Sequence, residues 1–292
     1  MGYAKKMPDS SRRRPAKSVQ AGDSGWLGRL AECVDAIGLD EFPDTLIAAL
    51  RSLVDIDYAV SFAYFQNETP LCLFHTYNPS QRVVFVDDYL RGPYLLDPFF
   101  TACGRNVDTG LYRLGDIAPD RFYQSEYYRS YYVQTGLAEE ICFTFYLEKA
   151  VAVVISLMRS GDSKKFSARE FRILESVAPV VTSLSRRHWR DLAEKLDAGH
   201  ADPNLPEVLS KIENTVSDLF SEHITPREIQ VAAQVLEGHS SDAIAKTLGI
   251  SVGTVRIHRR NIYAKLRISS QQELFSMFFE DITSDRETQP AQ

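Results

Sequence analysis

The sequence predicts an α+β amino-terminal unit, an antiparallel sheet with flanking helices, followed by an all-α unit of four helices. Three observations carry this. The chain has 292 residues, enough for two cores rather than one. Two pairs of short aromatic and aliphatic runs, 57–65 with 71–77 and 140–147 with 151–158, each flank a turn. Beyond a polar stretch bearing Gly, Asp and Pro at 197–206, only capped helical patterns follow.

The elements follow in order. Lys5, Lys6, Arg12, Arg13, Arg14 and Lys17 precede no apolar stretch, so 1–24 reads as a basic solvated tail rather than a leader. Residues 26–39 and 42–53 are amphipathic helices, the first closed by Gly38 and the second opened by Pro43. The first hairpin comes next, then an irregular stretch, 81–115, broken by Gly92-Pro93, Asp97-Pro98 and Gly110. Residues 119–135 read as one helix rich in tyrosine, followed by the second hairpin. Ser167 and Glu170 form a capping box, in which each side chain satisfies the other's backbone donor. The helix they open is expected to run to about Leu196, kinked at Pro179. This order is that of a sensor fold of the GAF or PAS type over 25–196; strand order is not readable from it. A linker with a short helix fills 197–222, a helical head 223–283 and a tail 284–292.

Composition narrows the function. No apolar run is long enough to span a bilayer. Four cysteines at no metal-ligand spacing suit a reducing cytoplasm. The six histidines pair with no Cys, His or acid at metal spacing, and neither a phosphate loop nor a G-x-S-x-G elbow is present. Nothing calls for catalysis, a cofactor or a metal. Net charge is −6, against nucleic-acid binding over the whole surface, yet 252–268 holds five basic residues and no Asp or Glu.

That reversal lies in a helix-turn-helix. Thr225 and Glu228 make a capping box with Pro226 at the first helical position. Gly238 ends that helix, Ser240 and Ser241 cap the next, Gly249 breaks it and Ser251 caps the third. In the third helix Val255, Ile262 and Leu266 fall on a packing face. Arg256, Ile257 and Arg260 fall on a neighbouring exposed face, where arginine can pair with guanine and an apolar side chain can meet a thymine methyl. Ser240, Ser241, Thr254, His258, Arg259 and Lys265 suit phosphate oxygens.

The run ITPREIQVAAQVLEGHSSDAIAKTLGISVGTVRIHRRNIYAKLRI, 224–268, resembles the LuxR-type helix-turn-helix of bacterial regulators. Arg227, Glu228, Gly238, Ser240, Ile244, Ala245, Ser251, Thr254, Val255, His258, Lys265 and Leu266 stand where that family's pattern has them. Ser241, Ala243, Arg267 and Gln271 depart from its usual Asn, Glu, Gly and Arg. The resemblance implies double-stranded DNA with a dyad-symmetric site, a homodimer, RNA polymerase as partner of an activator, and a dimer contact through the fourth helix at Leu274, Phe275 and Phe278. Packing of that helix within the chain is the competing reading.

The amino-terminal unit resembles the sensors of such regulators more distantly. A phosphorelay receiver is disfavoured: Val83–Asp88 looks like a strand ending in acids, but no Asp lies between Arg121 and Gly161 to accept phosphate. The pattern of acyl-homoserine-lactone receptors has a faint echo in Phe85, Tyr89, Asp97 and Pro98, without its tryptophan. Tyr123, Tyr127 and Tyr131, on one expected helix face, join Phe85, Tyr89, Tyr94 and Asp97 as a small-molecule pocket for an unidentified effector. The alternatives are ordinary packing and a constitutive or partner-controlled regulator whose first unit only dimerises.

Overall fold

The computed structural model describes residues 24–65, 69–147, 151–192 and 209–287. The basic tail, both hairpin tips, the first part of the linker and the last residues lie outside this range. The helix expected to reach about Leu196 ends earlier, at His188, with Trp189 as its C-cap.

Five antiparallel strands form the sheet of the first unit: β1 (Tyr58–Tyr64), β2 (Leu71–His75), β3 (Gly110–Arg113), β4 (Leu137–Tyr146) and β5 (Ala152–Ser160), in the order β2-β1-β5-β4-β3. The two expected hairpins are present, and the β1–β5 pairing brings them into one sheet. Strand β3, hidden in the stretch read as irregular, pairs with β4 over four residues. The 3-residue-per-turn and looser turns around it leave little local pattern by which to find it.

Side chains alternate across a strand, so parity sorts the sheet's two faces. Ala59, Ala63, Ile141, Phe143, Phe145, Val153, Ile155 and Leu157 belong to one core, with helices α1 (Ser24–Asp35), α2 (Phe42–Leu53) and α7 (Ala168–His188) packed on it. His188 closes this layer by stacking on Phe42 with ring centroids 4.3 Å apart and accepting the Gly38 N–H at 3.0 Å. The Ser167–Glu170 capping box forms as expected, and Pro179 is accommodated inside α7 without ending it. Val60, Phe62, Tyr64, Cys142, Val154 and Met158 belong to the opposite core.

Over that second face run α3 (Pro79–Arg82), a π turn Val83–Asp88, α4 (Pro98–Gly104), α5 (Leu114–Ile117) and α6 (Glu126–Ser130). The receiver-like run Val83–Asp88 is therefore helical, not a strand. Residues 119–135 are not one helix either. Ser125 has extended backbone and caps α6, separating a 3-10 turn at Phe122–Gln124 from α6 and a second at Tyr132–Thr135. The cap resets the helical phase, so Tyr123 does not share a face with Tyr127 and Tyr131.

The carboxy-terminal unit comprises α8 (Leu209–Phe220), α9 (Pro226–Glu237), α10 (Ser241–Leu248), α11 (Val252–Leu266) and α12 (Gln271–Glu287). The Thr225–Glu228 capping box and the Ser240 and Ser251 caps are all made. Gly238, Gly249 and Arg267 close α9, α10 and α11 in the left-handed region. Val255, Ile262 and Leu266 are buried as their spacing requires. The core of this unit runs without a break into the second face of the sheet.

Candidate DNA-reading helix and sensor cavity

Helix α11 has two sides. Its buried stripe packs on α9 and α10, while Arg256 and Arg260 are exposed and Ile257 keeps 49% of its surface. The three side chains expected to read bases therefore share an open face. The residues expected at phosphates divide. Ser241, Thr254 and His258 are half-buried, and Thr254 Oγ1 lies 2.8 Å from the Ser251 hydroxyl. The guanidinium of Arg259 donates to Ser241, Tyr263 and Gln271 at 3.3–3.5 Å. Lys265 donates to Glu228 at 2.7 Å, and Glu228 is only 3% exposed. Burial would raise the Glu228 carboxyl, but hydrogen bonds from Lys265 and Thr225 outweigh it and hold the pKa below the usual range. Ser240 is buried: its hydroxyl accepts the Ala243 N–H, and its own N–H donates to Asp120 of the sensor at 2.9 Å.

Ser240 thus lies at a docking contact between the two units. The Arg121 N–H donates to the Gly238 carbonyl at 3.1 Å, and Arg105 meets Glu237 at 3.3 Å. Gly238 has φ +98°, and a Cβ there would approach the Ser125 Cβ to 3.1 Å and Phe122 Cα to 3.4 Å. The glycine is needed twice, for the helix terminus and for the close approach of the sensor. Helix α12 also packs on α6 and α8. Leu274 and Phe278 have no exposed surface and Phe275 has 8%. The expected dimer contact through these three side chains is corrected accordingly: they are spent inside the chain, because α12 is caught between the head and the sensor.

Under the second sheet face lies a cavity of about 40 Å³, lined by Phe85, Tyr89, Asp97, Tyr127 and Tyr131, as expected, and also by Tyr64, Tyr77, Tyr132, Glu140, Ser156 and Met158. Two of the expected pocket residues lie elsewhere. Tyr123 is 55% exposed and meets Tyr128 edge-on. Tyr94 is buried edge-on against Phe100 with centroids 5.2 Å apart and is not a lining residue. Inside, Asp97 caps α4 by accepting the Phe99 N–H at 2.8 Å and also accepts the Tyr89 hydroxyl at 2.7 Å. Tyr89 lies 3.0 Å from the Tyr64 hydroxyl. Tyr131 donates to the Val84 carbonyl at 3.0 Å. Burial, first, and the nearby Asp97, second, push the hydroxyls of Tyr89, Tyr127 and Tyr131 well above the ordinary tyrosine range, so all three stay neutral, and Tyr89 and Tyr131 act as donors.

Glu140 is the residue that sequence reasoning missed. It stands on β4 opposite Met158 and is 8% exposed. Its hydrogen-bond partners are neutral side chains: Ser156, the Tyr132 hydroxyl at 3.5 Å and the Cys142 thiol at 3.7 Å. Burial, reinforced by Asp97, raises its carboxyl far above the usual range, and burial likewise raises Asp97. Parity was the available signal, since Glu140, Cys142 and Thr144 fall together on the face opposite Ile141, Phe143 and Phe145. A second cavity, about 290 Å³, opens where α4 meets the head, between Arg105, Ile117, Pro119 and Glu237.

Residues 222–278 match the family described as bacterial regulatory proteins, luxR family. An HTH-type transcriptional regulator from the exeN 3′ region of Aeromonas salmonicida is 33% identical over 182 residues, which span 62% of this chain and 92% of that protein. The chain belongs to the luxR family. The monoamine regulon transcriptional regulator of Klebsiella aerogenes is 26% identical over 188 residues, covering 64% of this regulator and 70% of that protein. Among solved structures, the VqsR LBD domain from Pseudomonas aeruginosa superposes with a TM-score of 0.50 at 24% identity, over 57% of this chain and 97% of that one. The likeness extends the shared fold to the sensor unit. The regulator's relatives act in transcription rather than catalysis, and no helix among the described residues is long and apolar enough to cross a membrane.

Proposed function

We propose that this protein is a ligand-controlled transcription activator that binds a dyad-symmetric DNA site as a homodimer in the cytoplasm and engages RNA polymerase there. Arg256, Ile257 and Arg260 read base edges from the major groove. Ser241, Thr254 and His258 contact phosphates, and Arg259 and Lys265 join them if their internal partners yield. A small molecule in the tyrosine-lined cavity sets how the head is held.

One observation carries the regulatory half of this reading. The short segment from Pro119 to Tyr132 touches both sites: Tyr127, Tyr131 and Tyr132 line the cavity, while Asp120, Arg121, Phe122 and Ser125 meet Gly238 and Ser240 of the head. A ligand that moves the tyrosines changes the surface on which α9 rests. It shifts the equilibrium only by its difference in affinity for the two arrangements. The N-terminal end of α10, an anion-accepting position, faces the Asp120 carboxylate in this arrangement.

The test begins by selecting bound fragments from genomic DNA with the purified full-length protein. Fluorescence anisotropy on the recovered site then follows affinity with and without a small-molecule extract of cells. Ligand control predicts a shift in the binding curve on adding extract and the loss of that shift in Tyr127→Ala. A curve unchanged by any extract sinks ligand control and favours constitutive binding.

A further inference from the structure

We infer that the cavity of the sensor is built for a small organic cation, a primary or quaternary amine, with Glu140 as the residue that selects its charge. This inference rests on the ligand-control reading above and specifies its chemistry; at about 40 Å³ the cavity is smaller than such a ligand, whose entry must part the tyrosine walls.

The cavity holds two carboxyls, Asp97 and Glu140, and no Lys, Arg or His among the described residues lines it. Asp97 has structural employment, capping α4 and accepting from Tyr89. Glu140 caps no helix and meets no cation among the described residues: its hydrogen bonds come from the neutral side chains of Ser156, Cys142 and Tyr132, which leave a charge on it unbalanced. A carboxyl buried to this degree costs several kcal/mol to ionise without a counter-charge, and a Gln or a hydrophobe would fill the same space without that cost. Its placement makes sense if the counter-charge arrives with the ligand.

The walls agree. Tyr64, Tyr77, Tyr89, Tyr127 and Tyr131 surround the carboxyls, and the Tyr77 ring stacks on Phe85 with centroids 4.4 Å apart. Aromatic faces attract a desolvated cation, and the hydroxyls, kept protonated by burial, can orient its substituents. An anionic ligand would meet two acids and no base. A neutral lactone or ester could accept a hydrogen bond from the protonated acid but would leave the charge it can carry unanswered. A metal ion is disfavoured too, since no group of three or more His, Cys, Asp or Glu side chains among the described residues could hold one.

Burial keeps Glu140 protonated near neutral pH. An alkylammonium entering the cavity would displace that proton to solvent, form a charge-assisted hydrogen bond to the carboxylate and remain charged itself. Binding therefore releases up to one proton per cation.

The experiment uses the full-length protein. Calorimetric titrations are run with 2-phenylethylamine, cadaverine and choline, with 2-phenylethanol as uncharged isostere, with N-octanoyl homoserine lactone, and with Mg²⁺ or Zn²⁺ alone. Each is repeated in two buffers of different ionisation enthalpy and with Glu140→Gln. The expected result is that at least one amine binds, releases protons, and loses tenfold or more in affinity in Glu140→Gln, while its isostere binds weakly to both proteins. The comparison of amine with alcohol on wild-type protein stands even if the variant fails to fold. Binding of the alcohol or the lactone with none of the amines overturns the charge assignment and leaves ligand control intact. Binding of a metal ion alone overturns it in favour of a metal. Amine binding that is equal in wild type and a folded Glu140→Gln removes Glu140 from the selection. If no probe binds and extract leaves DNA affinity unchanged, both the cation and the ligand-control reading fall.

Discussion

The two faces of the sensor sheet are made from the same strands and do different work. The face under α1, α2 and α7 presents Ile141, Phe143, Phe145, Val153, Ile155 and Leu157, with no polar atom among their side chains. One residue along each strand, the other face presents Tyr64, Glu140, Cys142, Ser156 and Met158, and its core continues into the DNA-binding head. The first face can only hold the fold together. The second carries hydroxyls, thiol and carboxyl that a stability argument alone would have removed, and it is the face through which the head could be informed.

The contrast can be broken first at its rigid side. Phe143→Ala should cost about 3–5 kcal/mol in urea unfolding, as large aromatic truncations in a closed core do. Tyr131→Phe, across the sheet, should cost about 1 kcal/mol, the net worth of one hydrogen bond. Equal losses would mean that both faces are packed alike.

Charge sharpens the comparison next. The Glu140 carboxyl is raised in the folded chain, so the native state binds the proton more tightly than the unfolded one. Its stabilising contribution is complete below the ordinary glutamate range and is lost as pH rises toward the raised value. Between pH 5 and 7 wild type should lose on the order of 2 kcal/mol relative to Glu140→Gln. Parallel pH–stability curves for the two proteins would contradict a buried, unpaired acid.

The head offers two smaller tests. Lys265→Ala strands the buried Glu228 carboxylate, so it should lower the melting temperature of the head by an amount equivalent to about 1–2 kcal/mol as well as weaken DNA binding. Weakened binding with unchanged stability would return Lys265 to a pure phosphate contact. Arg267 holds φ +57°, where an L side chain is strained. Arg267→Gly should therefore stabilise by about 0.5–1 kcal/mol in the same unfolding assay, and a loss would mean that the guanidinium makes a contact worth more than the strain.

These differences explain what was legible in the sequence. The head could be read almost whole, because its caps are local: Thr225, Ser240, Ser251, Gly238 and Gly249 each do their work within a few residues. Helix α2 and both hairpins were readable for the same reason. Strand β3 was not, being four residues long and defined only by its pairing with β4. The tyrosine segment misled, because Ser125 interrupts an otherwise plausible helix and turns Tyr123 outward. Leu274 and Phe278 misled in another way: an apolar stripe says that a surface is covered, but not whether the partner is a second chain or the sensor of the same one. Glu140 was visible only to a reader who separated β4 by parity and asked why an acid sat on a buried face.

The central claim remains that α11 distinguishes one base pair from another, and it is tested most directly by anisotropy titrations on the selected DNA site and on a scrambled duplex at one fixed salt concentration. Arg256→Ala and Arg260→Ala should each weaken binding to the selected site by about 1–3 kcal/mol and leave the scrambled duplex little changed. If either variant binds the selected site as wild type does, or loses the same affinity for both duplexes, the exposed face of α11 is not reading sequence.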